Sequence, residues 1–129
     1  MPIRIYYEDT DCGGVVYYAN YLRYFERGRT ELLRERGVSL GELHTSGVIF
    51  VVRSVEARYI APARYDDLLI LDTRLSGATG ATITFEHVLF KQEKTLVEGS
   101  VTLASVGNDG KPMRLPEELR LVKKVIGNR

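Results

Sequence analysis

One long helical segment, placed between a first strand and a run of four further strands, constrains the fold of this chain most strongly. Between residues 18 and 36 apolar side chains recur at intervals of three, four and seven, which places them on one helix face. The side chains on that predicted face are Tyr18, Leu22, Phe25 and Leu32. Gly28 in the middle either lets another element pack closely or is simply tolerated. Gly37 follows as a residue typical of helix C-termini, so the pattern predicts one helix over residues 18–36.

The remaining segments read mainly as strands. A first strand is predicted from Pro2 to Glu8, and a short helical turn from Ser39 to His44, capped by Ser39, follows the helix. The later predicted strands are Val48 to Ile60, Leu68 to Leu75, Thr82 to Lys91 and Thr95 to Val106, with a turn at Gly77 to Gly80. A short helix is predicted from Pro116 to Arg120.

Short connections between the last four strands favour antiparallel neighbours. One curved antiparallel sheet, with the long helix on its concave face, would bury the apolar surfaces of both. The fold class is therefore predicted as α+β, in a single domain spanning residues 1–129.

Composition and charge exclude several classes of function. The hydrophobic fraction of 44% is typical of a chain that buries a core. Lysine and arginine total 18 against 17 for aspartate and glutamate, so the basic excess of a nucleic-acid binder is absent. Cys12 is the only cysteine, and no apolar run approaches the roughly 20 residues of a membrane span. We therefore expect a soluble, cytoplasmic protein.

The segment just before the helix carries the most chemically useful side chains. Glu8, Asp9 and Asp11 lie within four positions, Gly13 and Gly14 follow them, and six of the eight tyrosines precede residue 25. Such a segment can hold a carboxylate beside a helix N-terminus, where free N–H groups polarise a carbonyl oxygen such as that of a thioester. It can equally be a plain loop whose aspartates accept hydrogen bonds from turn amides.

Two blocks of the sequence resemble a known family. The stretch from Tyr6 to Glu31, reading YYEDTDCGGVVYYANYLRYFERGRTE, closely resembles the signature of hotdog-fold acyl-CoA thioesterases. It is similar to the 4-hydroxybenzoyl-CoA thioesterase family, and nearest to the bacterial branch associated with the Tol-Pal system. A second similar block is Ala61 to Asp67, before the third strand. The resemblance implies a hotdog fold, a five-stranded antiparallel sheet around one central helix, and hydrolysis of acyl-CoA without a cofactor.

The resemblance also implies roles for single residues. Asp11 falls on the family's catalytic aspartate, which acts as nucleophile or as general base, and the Tyr18 backbone N–H falls where the family binds the thioester oxygen. Gly14 and Val15 lie in the loop that approaches the acyl group, and Thr82 falls near the coenzyme A arm. Close relatives carry histidine at the position of Tyr18, so any assistance from that side chain is absent or different here.

Three further charged residues have weaker claims to a role. Arg58 and Arg64 are basic residues that the phosphates of coenzyme A could meet, although ordinary solvated charges explain most such residues. Glu26, in the middle of the helix, could reach a substrate, but pairing with a neighbouring arginine is the preferred interpretation.

The cysteine and the two histidines do not form a recognisable site. Cys12 adjoins Asp11, but no histidine lies nearby in sequence to activate its thiol. His87 shares a strand face with Phe85 and Leu89, which predicts a packed histidine, and neither it nor His44 has acids at the spacing of metal ligands. We therefore expect no metal.

Partners and alternative functions follow from the same reasoning. The resemblance implies a thioester of coenzyme A or of acyl carrier protein as substrate, and a homodimer or homotetramer with the active site at the dimer interface. A non-catalytic acyl-binding or interaction protein stays open as an alternative. A hotdog dehydratase or hydratase would need a histidine with an acid, and neither histidine lies in that motif.

Overall fold

The secondary-structure elements follow the predicted order. A computed structural model describes residues 1–119, with the elements β1 (Pro2–Arg4), a 3-10 turn (Tyr7–Asp9), α1 (Asn20–Glu35), α2 (Leu40–Thr45), β2 (Ile49–Tyr59), β3 (Leu68–Ala78), β4 (Thr82–Lys91) and β5 (Lys94–Val106). The strands form one antiparallel sheet in the order β1-β3-β4-β5-β2, and α1 packs against β3 and β4. The predicted α+β architecture is confirmed. No helix among these residues is long and apolar enough to cross a membrane.

The first strand and the long helix are shorter than predicted. β1 ends at Arg4 because the chain then turns, and the Asp9 carboxylate accepts the Tyr6 N–H at 2.8 Å beside the 3-10 turn. The helix α1 begins at Asn20, because Tyr18 and the residue after it form a turn ahead of the first helical residue. The segment between β1 and α1 is therefore a long folded loop.

The later elements lie close to their predicted positions. β4 has the predicted bounds, and Ser39 caps α2 by accepting the Glu42 N–H at 3.2 Å. β3 extends to Ala78, because pairing with β4 continues beyond an irregularity after Leu75, which shortens the predicted turn. Residues 117–119 are helical, whereas Arg120, the end of the predicted short helix, lies outside the described residues.

The buried face of α1 is not the predicted one. Phe25 is fully buried, but Tyr18 and Leu22 are 61% and 38% exposed. The residues buried along α1 are Tyr21, Tyr24, Phe25, Gly28, Arg29 and Leu33. The helix turns this face towards β3, where a Cβ atom at Gly28 would overlap the side chain of Thr73. Gly28 is therefore required for close packing. The predicted face was right for Phe25 and Leu32, which packs against the core, and wrong for Tyr18 and Leu22.

The inner face of β4 packs under α1 as predicted. The side chains of the predicted strand face, Phe85, His87 and Leu89, are buried, and so is Ile83 on the same face. The His87 ring stacks on Phe25 with ring centroids 4.5 Å apart, and its Nδ1 lies 3.0 Å from Thr73 Oγ1. The prediction of a packed histidine is confirmed.

The opposite side of α1 is open, because β2 forms an edge of the sheet. Val51, Val52 and Val55 on this strand are 44%, 54% and 40% exposed. A groove of about 190 Å³ runs between Leu22 of α1 and the sheet residues Val52, Val55 and Val101. Among the described residues, the side of α1 that faces β3 and β4 is therefore closely packed, while the side that faces β2 presents apolar side chains and a strand edge without a neighbouring strand.

Candidate active site

The loop from Asp11 to Val15 is a closed turn between paired backbone segments. Thr10 and Val16 form an antiparallel bridge, and inside it the Asp11 N–H donates to the Val15 carbonyl at 2.9 Å. Gly14 has a φ of 79°, in the left-handed region that glycine adopts without strain. The backbone thus brings Asp11, Gly14 and Val15 together in one small loop.

The Asp11 carboxylate is exposed, and the protein uses only one of its oxygens. Oδ1 accepts the Gly13 N–H at 2.8 Å, which is the turn contact that a plain loop requires. The other oxygen accepts no hydrogen bond from any residue in the range 1–119. A carboxylate held in this way can still attack an electrophile or take a proton from water.

The N-terminus of α1 lies in the same region and has no side-chain cap. Ala19 occupies the N-cap position, and the N–H groups of Tyr18 and Ala19 have no acceptor within the described part of the chain. Free N–H groups at this end of a helix carry its positive dipole and bind oxygens. The Tyr18 N–H is therefore available to a carbonyl oxygen, which its implied role requires.

The second sequence block packs directly beside the Asp11 loop. The Ala63 carbonyl accepts the Val16 N–H at 2.9 Å, and Arg64 forms an isolated bridge with Val15. Asp67 stabilises this second loop, since its Oδ2 accepts the Arg64 N–H at 2.9 Å. The two blocks that carry the family resemblance are thus joined by backbone contacts, and the exposed Arg64 side chain projects from the loop next to Val15.

Aromatic rings line the surface at the start of α1. Tyr18 lies between Tyr17 and Tyr59, with ring centroids 5.0 Å and 6.2 Å away, and Tyr21 lies 5.6 Å from Tyr59. Tyr59 comes from the end of β2, and sequence reasoning did not assign it to the site. Its only sequence signal was a tyrosine on an alternating strand, because the contact depends on how the sheet folds around the helix.

Two of the predicted substrate-binding residues lie away from Asp11. Arg58 is adjacent to Tyr59 in β2 and projects from the opposite face of the sheet, where it lies 3.9 Å from Glu98. Leu89 of β4 and Tyr59 of β2 lie in the same row across the sheet, one on each side of β5. Thr82 is seven residues away from Leu89 along β4. At about 3.3 Å per residue, Thr82 lies roughly 23 Å from the Tyr59 end of the sheet. A single chain therefore does not bring Thr82 and Asp11 together.

The remaining candidates stay outside this arrangement. Glu26 is exposed on α1 and forms no close ion pair within residues 1–119, but its carboxylate acts electrostatically on Arg29. The predicted pairing with a neighbouring arginine is therefore present only as a longer-range interaction. Cys12 is an exposed free thiol beside Asp11. His44 is exposed on α2, near the other end of α1. No group of three or more metal-ligating side chains occurs in the described part of the chain.

The chain matches known proteins over most of its length. Residues 6–122 match the family model described as the thioesterase-like superfamily. The chain is 42% identical over 120 residues to the acyl-CoA thioester hydrolase YbgC of Escherichia coli O6:H1, covering 92% of this chain and 90% of that protein. It is 42% identical over 122 residues to the acyl-CoA thioesterase YbgC of Haemophilus influenzae, covering 93% and 90%.

A solved structure agrees with these sequence relationships. The crystal structure of a probable thioesterase from Bartonella henselae superposes with a TM-score of 0.85 at 42% sequence identity, covering 90% of this chain and 97% of that one. Family match, curated relatives and the observed sheet order therefore lead to one conclusion. This chain belongs to the thioesterase-like superfamily and has the hotdog fold.

Proposed function

We propose that this protein is an acyl-CoA thioester hydrolase, which releases a free acid and coenzyme A. One observation carries the proposal: the exposed Asp11 carboxylate keeps an unused oxygen in the same region as the unpaired Tyr18 N–H at the start of α1. The names of the Escherichia coli and Haemophilus influenzae relatives, an acyl-CoA thioester hydrolase and an acyl-CoA thioesterase, support it.

The proposed reaction uses these two groups and water. The Tyr18 N–H donates to the thioester oxygen and stabilises the charge that develops there as the carbonyl carbon becomes tetrahedral. Asp11 either attacks that carbon, giving an anhydride that water then hydrolyses, or takes a proton from the water that attacks. In both routes the carbon–sulfur bond breaks, the thiolate leaves and is protonated, and oxygen from water enters the acid. Neither route contains a cofactor.

The surroundings of Asp11 suit a thioester with an apolar acyl group. Gly14 and Val15 would border the acyl carbon, and the rings of Tyr18 and Tyr59 would limit access of bulk water. The exposed Arg64 side chain would meet a coenzyme A phosphate. The acyl chain and the thiol carrier, coenzyme A or acyl carrier protein, are left to experiment.

The proposal includes a homodimer, or a homotetramer of two dimers, in which a second chain completes the site. The open β2 edge and its exposed Val51, Val52 and Val55 are the surface that such a chain would cover. Thr82 and Arg58, which lie away from Asp11 within one chain, would contact substrate bound to the partner. Light scattering should give twice or four times the mass of one chain, and a monomer at micromolar concentration would refute this part of the proposal.

The alternatives have less support from the geometry. Hydration or dehydration needs a histidine that exchanges protons with substrate, but His87 is buried, and burial together with Arg29 lowers its pKa to about 3. His44 is exposed on α2, away from Asp11. A non-catalytic binding protein would bind the same thioester at the same loop without turnover, so activity separates it from an enzyme.

The test is thiol release from a panel of short-chain, long-chain and aromatic acyl-CoA and acyl carrier protein thioesters, comparing wild type with Asp11→Asn. We expect turnover of at least one substrate by wild type and a loss of about 1000-fold in the variant, because the amide neither attacks nor accepts a proton. Glu8→Gln is the matched control, since it removes a nearby exposed carboxylate.

The possible outcomes distinguish the proposed enzyme from a non-catalytic binding protein. Retained activity in Glu8→Gln together with lost activity in Asp11→Asn, at unchanged melting temperature and oligomeric mass, supports the proposed enzyme. No turnover of any thioester by wild type, or equal turnover in Asp11→Asn, would refute it. Tight binding of a thioester without turnover would then identify the protein as an acyl-binding protein.

A further inference from the structure

The first residue of α1 holds the loop that precedes Asp11. The Asn20 side-chain Nδ2 donates to the Asp9 carbonyl at 2.9 Å, and the same carbonyl accepts the Tyr17 N–H at 3.0 Å. Asp9 lies two residues before Asp11, and Tyr17 immediately precedes Tyr18. One carbonyl oxygen thus joins the segment that carries the carboxylate to the segment that carries the free N–H.

The second residue of α1 holds the other side of the same loop. The Tyr21 hydroxyl oxygen accepts the Ala63 N–H at 3.1 Å, and Tyr21 is only 3% exposed. Ala63 in turn accepts the Val16 N–H through its carbonyl at 2.9 Å. Burial raises the pKa of Tyr21, so its hydroxyl stays neutral at physiological pH. The chain of contacts runs from the helix, through the second loop, to the end of the Asp11 loop.

These two contacts together constrain both sides of the Asp11 loop relative to α1. Hydrolysis requires the carboxylate oxygen and the Tyr18 N–H to meet the same carbonyl group within a few tenths of an ångström. A displacement of about 1 Å at a reacting group lowers a rate by about 100-fold. Neither Asn20 nor Tyr21 supplies a reacting atom in the proposed reaction.

We propose that Asn20 and Tyr21 are positioning residues of the thioesterase site, which fix the Asp11 carboxylate relative to the Tyr18 N–H. This role rests on the proposed function. The competing view is that both side chains only stabilise the fold. On that view their loss would lower the melting temperature but leave the kinetic constants of the folded enzyme unchanged.

The experiment compares Asn20→Ala and Tyr21→Phe with wild type in the full chain, using the thioester that wild type hydrolyses fastest. Tyr21→Phe keeps the ring and removes only the oxygen that accepts the Ala63 N–H. The matched control is Ser105→Ala in β5. The Ser105 hydroxyl is equally buried but has no hydrogen-bond partner within residues 1–119, and Ser105 lies in neither loop.

We expect kcat to fall by about 10- to 100-fold in Asn20→Ala and Tyr21→Phe, while KM changes by less than about 3-fold. The control Ser105→Ala should keep kcat within about 2-fold of wild type, because it releases neither loop. Melting temperature is measured alongside, and kinetics are taken well below the lowest melting point. Asn20 is only half-buried, so its variant keeps the test available if Tyr21→Phe does not fold.

Unchanged kcat in both variants would refute the positioning role, provided that wild type is active and Asp11→Asn is not. A fall in kcat of the same size in Ser105→Ala would also refute it, since any lost buried hydroxyl would then have the effect. If Asp11→Asn is as active as wild type, the proposed function fails first, and that result is distinguishable from both of these.

Discussion

Two polar clusters contact α1. One leaves polar atoms exposed without partners, and the other buries polar atoms that contact each other. At the Asp11 loop one carboxylate oxygen and the Tyr18 N–H are exposed and have no partner within residues 1–119. Under the middle of the helix, Arg29 and His87 are 7% and 1% exposed and contact each other. Polar groups left free at a surface remain available for chemistry at little cost in stability, whereas polar groups in a core must satisfy one another.

The buried cluster has a defined proton arrangement. Arg29 Nη1 lies 3.3 Å from His87 Nε2, and a guanidinium only donates, so Nε2 must accept. His87 Nδ1 therefore carries the proton and donates to Thr73 Oγ1 at 3.0 Å. Burial and the nearby Arg29 charge lower the pKa of His87 to about 3, so the ring is neutral at pH 7. His87 therefore contributes to the core of the protein. The comparison predicts that a substitution in this cluster alters stability and leaves activity intact.

The largest effect on the buried cluster should come from Gly99→Ala. A Cβ atom at Gly99 would overlap the Phe25 ring, and that ring is fully buried and stacked on His87, so it has little room to move. We expect a loss of about 1–3 kcal/mol in the free energy of unfolding, measured by urea denaturation. Gly77→Ala is the matched control, because its Cβ would meet only Thr84 Cβ at 4.0 Å.

If Gly99→Ala were as stable as Gly77→Ala, the interface between α1 and the sheet would not be closely packed. If it lost kcat/KM while folded at the assay temperature, the separation between the two clusters would fail, since Gly99 lies in neither loop around Asp11.

A smaller effect is expected from the protonation of His87. The unfolded chain binds a proton at this histidine near pH 6.5, but the folded protein binds one only near pH 3. Stability from the neutral ring is therefore full above pH 6.5 and declines as pH falls from 6.5 towards 3, by about 2 kcal/mol at pH 5. His87→Gln keeps a donor and an acceptor but does not titrate in this range, so it should lose this part of the acid sensitivity.

The measurement is the free energy of unfolding at pH 7 and pH 5 for wild type and His87→Gln. The difference between the two pH values should be smaller in the variant by about 2 kcal/mol. Equal pH dependence would show that His87 titrates normally in the folded protein. That result would contradict the burial of the cluster.

Much of the fold follows from local pattern in the sequence. The alternation of Ile83, Phe85 and Leu89 specified β4 and its buried face, because one residue's shift would expose all of them. The face of α1 was only partly predicted, because a buried arginine does not look buried in sequence. Arg29 contacts the buried His87, which lies 58 residues away along the chain, and the Glu26 carboxylate acts on its charge.

The candidate site also contains residues that the local sequence predicts and residues that it does not. Asp11 and Gly14 could be assigned from the loop itself and from its resemblance to a family, since the contacts that shape this loop are local. The contacts of Tyr59 and Ala63 join residues about 40 positions apart, and no periodicity reports them. Thr82 was assigned by resemblance alone, and because it lies far from Asp11 within one chain, its role depends on the proposed dimer.

The most direct test of the central claim is single-turnover thiol release with enzyme in excess over the thioester. This condition isolates the chemical step from product release and from differences in KM. The account predicts rapid release by wild type and Glu8→Gln, and release slower by about 1000-fold in Asp11→Asn at an unchanged melting temperature. Release at the wild-type rate by Asp11→Asn would contradict the claim that the free oxygen of Asp11 performs the reaction.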